Sequence, residues 1–244
     1  MVNKTFRVPV YNVQYMSYRT HGARRRIIHS SPFKDLSGEV HALCLAIDSC
    51  IDSEQSVVFK DDHAAKVVSI PCGEHRYVIK EYRSRNWMKY LSRNWFRSKA
   101  KKTWSRAMLL QEPNIPIGHP VAWVEDKIGF FCIRSFFIAH EVPGVTAREY
   151  LQNSELSSEA IHQAVDRIVS MLKHMHSQGI IYGDTKDTNI LFTPENIAWV
   201  DYDTVSKSNK ALFQDRQLIK DWQILEYNWR DMPQVHQTFL QHVG

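Results

Sequence analysis

Three oxygen-bearing side chains follow short apolar runs in the second half of the chain. Asp184 comes directly after residues 179–183 (GIIYG), Asn189 stands five residues later, and Asp201 ends the run at 197–200 (IAWV). Loop positions at strand ends are where a rigid scaffold presents catalytic groups. Phosphoryl transfer from ATP requires an aspartate that orients and deprotonates a hydroxyl, with an asparagine and a second aspartate to hold Mg²⁺. Asp184 is therefore a candidate catalytic base, and Asn189 and Asp201 are candidate metal ligands.

The same chemistry needs cations on the phosphates, because negative charge spreads over the oxygens of the transferred group. Lys80 lies in residues 75–82 (HRYVIKEY), where the alternation predicts a strand that places the lysine on a face with apolar neighbours. Lys186, two residues after Asp184, is a second candidate and would neutralise the γ-phosphate during transfer.

The rest of the pattern predicts the elements that position these groups. β-branched runs and turn signals predict strands, and Ser157 or Ser158 caps a helix with apolar residues at helical spacing. The predicted strands are 56–60, 65–70, 75–82, 121–124, 129–138, 180–182, 189–192 and 197–200, and the predicted helices are 98–110, 157–179 and 217–244, the last broken at Pro233. The apolar run at residues 40–51 fits the period of a helix and that of a strand equally well. Residues 1–38 are expected to be irregular or to hold a short strand.

Turn residues at 141–144 (EVPG) indicate a lobe boundary. The sequence thus predicts an α+β protein with a mostly β lobe at residues 1–140 and a mostly α lobe at residues 141–244 that carries the catalytic loop.

Composition excludes several classes of protein. The chain has 244 residues, 43% of them hydrophobic and 23% charged, with a formal net charge of +5, which is a globular composition. Its four cysteines form no C-x-x-C pair and have no histidine at metal-ligand spacing, so free thiols in a reducing cytoplasm are expected. The N-terminal residues lack a signal-peptide pattern, and the most apolar stretch, 128–139, is too short to span a bilayer.

Three motifs together resemble the protein-kinase-like superfamily. Asp184-x-Lys186-x-x-Asn189-Ile-Leu is similar to its catalytic loop, Val-Asp201-Tyr-Asp is similar to its metal-binding Asp-Phe-Gly segment, and Val-Ile-Lys80 is similar to its nucleotide-lysine strand. Further stretches at 98–104 (SKAKKTW) and 114–120 (NIPIGHP) narrow the resemblance to the bacterial lipopolysaccharide core kinases, which phosphorylate heptose or Kdo sugars.

This resemblance implies a two-lobed protein-kinase-like fold and ATP-dependent phosphorylation of a sugar hydroxyl, with ATP and Mg²⁺ as cofactors. It also implies that Lys80 binds the α- and β-phosphates, and that backbone groups of Glu141 and Val142 contact adenine. The implied acceptor is the lipopolysaccharide inner core or another sugar, which would place the protein in the cytoplasm with peripheral contact to the inner membrane.

Three features differ from the family pattern. Residues 60–66 (KDDHAAK) contain no glycine where a glycine-rich loop is expected, Thr103 stands where the acidic partner of Lys80 is expected, and Tyr182 replaces the usual histidine of the catalytic loop.

The segment 83–106 is basic and rich in tryptophan. Three interpretations stay open: a solvated helix face with core aromatics, peripheral contact with an anionic membrane, and nucleic-acid binding, which is the least favoured of the three. Two alternatives to the sugar kinase also stay open. One is a kinase of the same fold that acts on a protein or small molecule, and the other is a pseudokinase that uses its basic face to bind membrane or RNA.

Overall fold

The structure is a computed structural model that describes residues 14–19, 24–30, 38–83, 98–207 and 211–243. Its contacts divide the chain into two compact units, Met1–Trp104 with His119–Glu141, and Ser105–Gly118 with Val142–Gly244. This division groups Ser105–Gly118 with the second unit, and the lobe boundary at residues 140 and 141 stays a prediction.

The described part of the first unit contains one antiparallel sheet of seven strands in the order β1-β2-β6-β7-β5-β4-β3. Its strands are β1 (Gln14–Arg19), β2 (Arg24–Ser30), β3 (Val57–Asp61), β4 (Ala65–Cys72), β5 (His75–Tyr82), β6 (Pro120–Ile128) and β7 (Phe131–His140). The region before residue 39, expected to be irregular or to hold a short strand, thus contributes two paired strands to the sheet.

One face of this sheet is covered by two short helices, α1 (Gly38–Leu45) and α2 (Ile47–Ile51). Residues 40–51, which fitted either period, are therefore helical. The apolar core between helices and sheet consists of Ile28, Val40, Leu43, Cys44, Ile47, Ile51, Val68, Ile70, Tyr77, Ile79, Ala122, Val124, Phe136 and Ile138. Burial of this apolar surface is the main force that holds the helices to the strands.

Helix α3 (Lys99–Gln111) follows the predicted helix at 98–110. At its start, the ring centroids of Trp104 and Trp123 lie 4.9 Å apart, and the hydroxyls of Tyr82 and Thr103 are hydrogen bonded at 2.6 Å.

The second unit is mostly helical. Its elements are β8 (Val145–Thr146), α4 (Ala147–Leu151), α5 (Ser158–Ser177), β9 (Ile180–Ile181), a 3-10 turn (Asp187–Asn189), β10 (Ile190–Phe192), β11 (Ile197–Trp199), β12 (Ser206–Lys207), α6 (Ala211–Trp229) and α7 (Pro233–Val243). The hydroxyl of Ser157 accepts the Ala160 N–H at 3.1 Å and so caps α5 as predicted. Among the described helices of the chain, none combines the length and the apolar character needed to cross a bilayer.

Candidate active site

A buried aspartate on α6 binds the backbone of the predicted catalytic loop. The Asp221 carboxylate, 0% exposed, accepts the backbone N–H of Tyr182 at 2.9 Å and that of Gly183 at 2.7 Å. The Asp221 carbonyl accepts the Thr185 hydroxyl at 2.5 Å, and His176 Nε2 lies 3.1 Å from the carboxylate. Several hydrogen bonds to one charged group fix the backbone immediately before Asp184. Asp221 is not among the site residues predicted from the sequence.

Tyr182, which stands in place of the usual histidine, connects this loop to the segment that carries Asp201. Its hydroxyl donates to the carbonyl of Val200 and lies 3.2 Å from the carbonyl of Asp201. Complete burial raises the pKa of Tyr182 well above its usual range, so the phenol stays a proton donor. A tyrosine thus supplies a link between the two predicted catalytic segments.

Gly183 occupies a position that other residues would fill poorly. Its φ is +84°, and a Cβ placed there would lie 3.0 Å from both the Cβ and the carbonyl oxygen of Thr204. The Thr204 hydroxyl in turn donates to the Tyr182 carbonyl at 2.9 Å. This close approach of two backbone segments requires glycine.

Asp184, Lys186 and Asn189 lie together, as their spacing predicted. Asn189 Nδ2 donates to the Asp184 carbonyl at 3.0 Å and to its carboxylate at 3.1 Å, while Lys186 Nζ lies 2.9 Å from the same carboxylate. The Asp184 side chain is 26% exposed and is therefore accessible to a substrate hydroxyl. Because the Asn189 amide nitrogen is directed at Asp184, its amide oxygen is the atom suited to a cation.

Asp201 has an unusual backbone conformation. Its φ is +63°, in the left-handed region that few residues other than glycine and asparagine or aspartate adopt. Its neighbours hold it there: the Tyr202 hydroxyl accepts the Gly118 N–H at 3.0 Å, and an Arg106 guanidinium donates to the Asp203 carbonyl. Such conformations cluster at ligand-binding sites, where the surroundings maintain them.

The two predicted metal ligands are joined through the backbone, since the Val200 N–H donates to the Asn189 carbonyl at 2.9 Å. Both offer side-chain oxygen, the donor that Mg²⁺ prefers. Within the described residues, no three His, Cys, Asp or Glu side chains form a metal-binding group. A cation held by the side-chain oxygens of Asn189 and Asp201 would take its remaining ligands from phosphate and water, as Mg²⁺ does in many phosphate-binding sites.

Asp187, a second acidic residue of the loop, forms an ion pair with Arg148 on α4. Arg148 Nε lies 2.8 Å from the buried Asp187 carboxylate, and Arg148 also reaches Asp231 at 2.6 Å and the Asn228 carbonyl at 2.7 Å. This arginine joins the catalytic loop to the end of α6, a connection that sequence spacing did not indicate.

Lys80 lies on β5 in the first unit, half-buried and 5.6 Å from the ring centroid of Tyr82. Thr103, which stands where the acidic partner of Lys80 is expected, and Glu81, its neighbour in the chain, both have other partners. The Glu81 carboxylate lies 2.6 Å from Arg134 and 3.4 Å from Arg83, and Thr103 is hydrogen bonded to Tyr82.

The turn between β3 and β4, where a glycine-rich loop was expected, is closed by its own side chain. The Asp62 carboxylate accepts the backbone N–H of Ala64 at 2.7 Å and of Ala65 at 2.8 Å, with Lys60 Nζ 3.1 Å away. Hydrogen bonds from Ala65 and Ala64, and then Lys60, lower the pKa of Asp62 to about 2. Two amides that could bind a phosphate are thus already used by a carboxylate.

Glu141 and Val142 follow β7. The Glu141 N–H donates to the Arg76 carbonyl at 2.9 Å, and its carboxylate lies 2.8 Å from Arg76 Nε. Because the Glu141 N–H is already bonded to Arg76, an adenine contact of the kind that the resemblance implies would use the Glu141 carbonyl.

Residues 84–97 of the basic segment lie outside the described residues. In the part that is described, Trp104 is 4% exposed and packs on Trp123, so it is a core residue and not a membrane anchor.

The sheet of the first unit, the helices of the second and the loop that joins Asp184 to Asn189 define a kinase-like fold. A solved structure described as "WaaP in complex with acyl carrier protein" has the same fold, with a TM-score of 0.59 and 16% sequence identity over 86% of each chain. No match was found among curated proteins. The model of the "Lipopolysaccharide kinase (Kdo/WaaP) family" matches residues 54–240, and the chain belongs to this family. Its members are kinases, so the protein is a phosphotransferase.

Proposed function

We propose that this kinase transfers the γ-phosphoryl group of ATP to a sugar hydroxyl of the lipopolysaccharide inner core. The observation that carries the proposal is the arrangement of Asp184, Lys186 and Asn189, which the buried Asp221 holds in place. Membership in a lipopolysaccharide kinase family supports the substrate class.

In the proposed reaction the sugar hydroxyl oxygen attacks the γ-phosphorus, and the bond between that phosphorus and the β,γ-bridging oxygen breaks. Asp184 orients the hydroxyl and accepts its proton, and ADP leaves with the bridging oxygen. Lys186, already beside the Asp184 carboxylate, would shift to the γ-phosphate and offset its negative charge.

Asn189 and Asp201 would hold Mg²⁺, which supplies charge neutralisation on the phosphates. Lys80 would bind the α- and β-phosphates, and Glu141 and Val142 would contact adenine through their backbones. Acceptors anchored in a bilayer would place the enzyme at the cytoplasmic face of the inner membrane.

The test is transfer of labelled phosphate from ATP to lipopolysaccharide whose core lacks phosphate, with wild type, Asp184→Asn and Asp166→Asn. Asp166 lies on the exposed face of α5 and serves as the matched control. We expect Asp184→Asn to lower kcat by about 10²–10⁴-fold, because it removes the proton acceptor, and Asp166→Asn to leave kcat unchanged. Transfer that is equal in all three proteins would refute the role of Asp184.

The turn at Asp62 favours a second candidate, a pseudokinase that binds membrane or RNA through its basic face. A carboxylate that occupies the turn amides opposes nucleotide phosphates. Calorimetric titration with ATP and Mg²⁺ separates the two: absence of nucleotide binding supports the pseudokinase, and binding with turnover excludes it. Turnover on proteins or small molecules but not on lipopolysaccharide would assign another acceptor.

A further inference from the structure

The turn between β6 and β7 exposes an unusual concentration of large apolar side chains. Phe130 is 85% exposed, Ile128 46%, Ile133 40% and Phe131 37%, all within six residues. Single exposed apolar residues are ordinary, but a contiguous apolar patch on a surface marks a contact with a partner or a membrane. We call residues 127–134 the hairpin tip.

The hairpin tip extends past its neighbour on one side. Pairing between β5 and β7 ends at Tyr82 and Ser135, whereas β6 and β7 stay paired as far as Ile128 and Phe131. Four residues of β7 therefore continue beyond β5, which is about 13 Å of strand. This extension lifts the apolar side chains away from the core of the first unit.

Several basic side chains lie beside the hairpin tip, most of them in ion pairs. Arg25 is exposed and donates to the Gly129 carbonyl at 3.4 Å, and the side chains of Arg24 and Lys127 are 33% and 27% exposed. Their acidic partners, Asp126 and Glu125, are buried. Asp48, which is partly exposed, is bound by Arg26 and Arg134. Cations therefore lie beside the apolar tip: Arg24 and Lys127 are paired with buried acids, and Arg25 is exposed with a backbone carbonyl as its partner.

We propose that the hairpin tip inserts into the interfacial region of a bilayer that contains anionic phospholipids. Aromatic side chains favour the interface between hydrocarbon and headgroups, and arginine and lysine bind anionic headgroups. The four apolar side chains expose on the order of 400 Å². A stable protein interface commonly buries about 800 Å² on each partner, so the tip is too small to hold two proteins together by itself.

The hairpin tip lies on β6 and β7, and none of the residues with proposed roles in phosphoryl transfer belongs to it. The proposal deepens the proposed function, on whose placement of the enzyme at a membrane it rests, by naming the surface that makes the contact, and flotation tests it separately from any turnover assay.

The experiment is flotation of the full chain with vesicles of phosphatidylcholine alone and with vesicles in which phosphatidylglycerol replaces about a third of it. Phe130→Ser is the test variant. Ile219→Ser is the control, because Ile219 is a large apolar residue that is 53% exposed on α6 in the second unit. Arg25→Gln tests the basic contribution, and thermal unfolding verifies that each variant is folded.

We expect wild type and Ile219→Ser to bind the anionic vesicles, to bind the neutral ones weakly, and to be released by high salt. Phe130→Ser should lower the partition coefficient by about tenfold or more, and Arg25→Gln by roughly fivefold.

Two results would overturn the proposal. One is wild-type protein that floats with neither kind of vesicle, and the other is equal partitioning of Phe130→Ser and Ile219→Ser. If sedimentation shows a wild-type dimer that Phe130→Ser dissociates, and no protein floats with vesicles, the tip is instead a contact between two copies of the chain.

Discussion

Two loops of this kinase are expected to meet the phosphates of ATP, and they are built in opposite ways. The loop at 182–189 is held because its N–H and hydroxyl groups donate hydrogen bonds to the buried Asp221. The turn at 61–65 is largely exposed: the Asp62 carboxylate accepts two of its N–H groups, and Arg83 donates to the Asp61 carboxylate and to the Asp62 carbonyl. The groups proposed to act on the reacting atoms thus have a buried frame, whereas two amides of the turn where a glycine-rich loop was expected are bound by a carboxylate.

The largest effect is expected when the hydrogen bonds between Asp221 and the catalytic loop are removed. Asp221→Asn keeps the shape of the side chain but substitutes an amide group for one carboxylate oxygen, so at least one N–H loses its acceptor. We expect the free energy of unfolding to fall by about 2–4 kcal/mol, and kcat to fall by about 10²-fold because Asp184 is no longer fixed.

Urea unfolding measures the first effect, and initial rates at a temperature where the variant is fully folded measure the second. Asp166→Asn, on the exposed face of α5, is the control. A folded Asp221→Asn protein with wild-type kcat would show that Asp221 stabilises the fold without positioning the loop.

A smaller effect is expected when the link between the two catalytic segments is cut. Tyr182→Phe keeps the buried ring against Trp199 but removes the hydroxyl that binds the Val200 carbonyl. We expect a loss of about 1 kcal/mol in unfolding free energy and, since Asp201 follows Val200, a Mg²⁺ requirement raised about fivefold to tenfold. Rates measured across a Mg²⁺ titration report it. Tyr150→Phe, which alters a ring stacked on Phe192, should leave the titration unchanged; the same shift in both variants would contradict the assignment.

The smallest effect is expected in the other loop, the turn between β3 and β4. Asp62→Gly removes the carboxylate from the β3–β4 turn and frees the N–H groups of Ala64 and Ala65 for phosphate. We expect the KM for ATP to fall by about twofold to fivefold, with kcat nearly constant, because one repulsive charge is removed near the phosphates. Asp52→Asn, at an exposed residue paired with Lys66, controls for charge alone. An unchanged or higher KM in Asp62→Gly would show that the turn does not reach the nucleotide.

Most of the fold could be predicted because apolar residues recur along the sequence at the spacing of a helix or of a strand. Helix α5 is the best example, since its cap and its apolar stripe were both visible. The kinase-like fold and the family were confirmed. The roles of Asp184, Lys186, Asn189, Asp201 and Lys80 stay predictions, although the structure brings the first three together as their spacing indicated.

What the sequence did not reveal depends on contacts between distant segments. Asp221 meets a loop 38 residues away, and spacing within a motif cannot show that. One signal was present: Asp221 lies four and eight residues before the buried Leu225 and Trp229, so an acid stands in the apolar stripe of a helix. The pairing of β2 with β6 was equally hidden, because Arg24 and Ile128 are far apart in the chain.

The first two strands and the first two helices have a practical consequence for producing the protein. The family match begins at residue 54, after β1, β2, α1 and α2. A fragment cut at that residue would leave β6 as an unprotected sheet edge and would expose the core side chains that α1 and α2 cover. Unpaired edges and bare apolar faces drive aggregation. The folded unit of this kinase is therefore larger than the region by which its family is recognised, and recombinant fragments should retain residues 14–53.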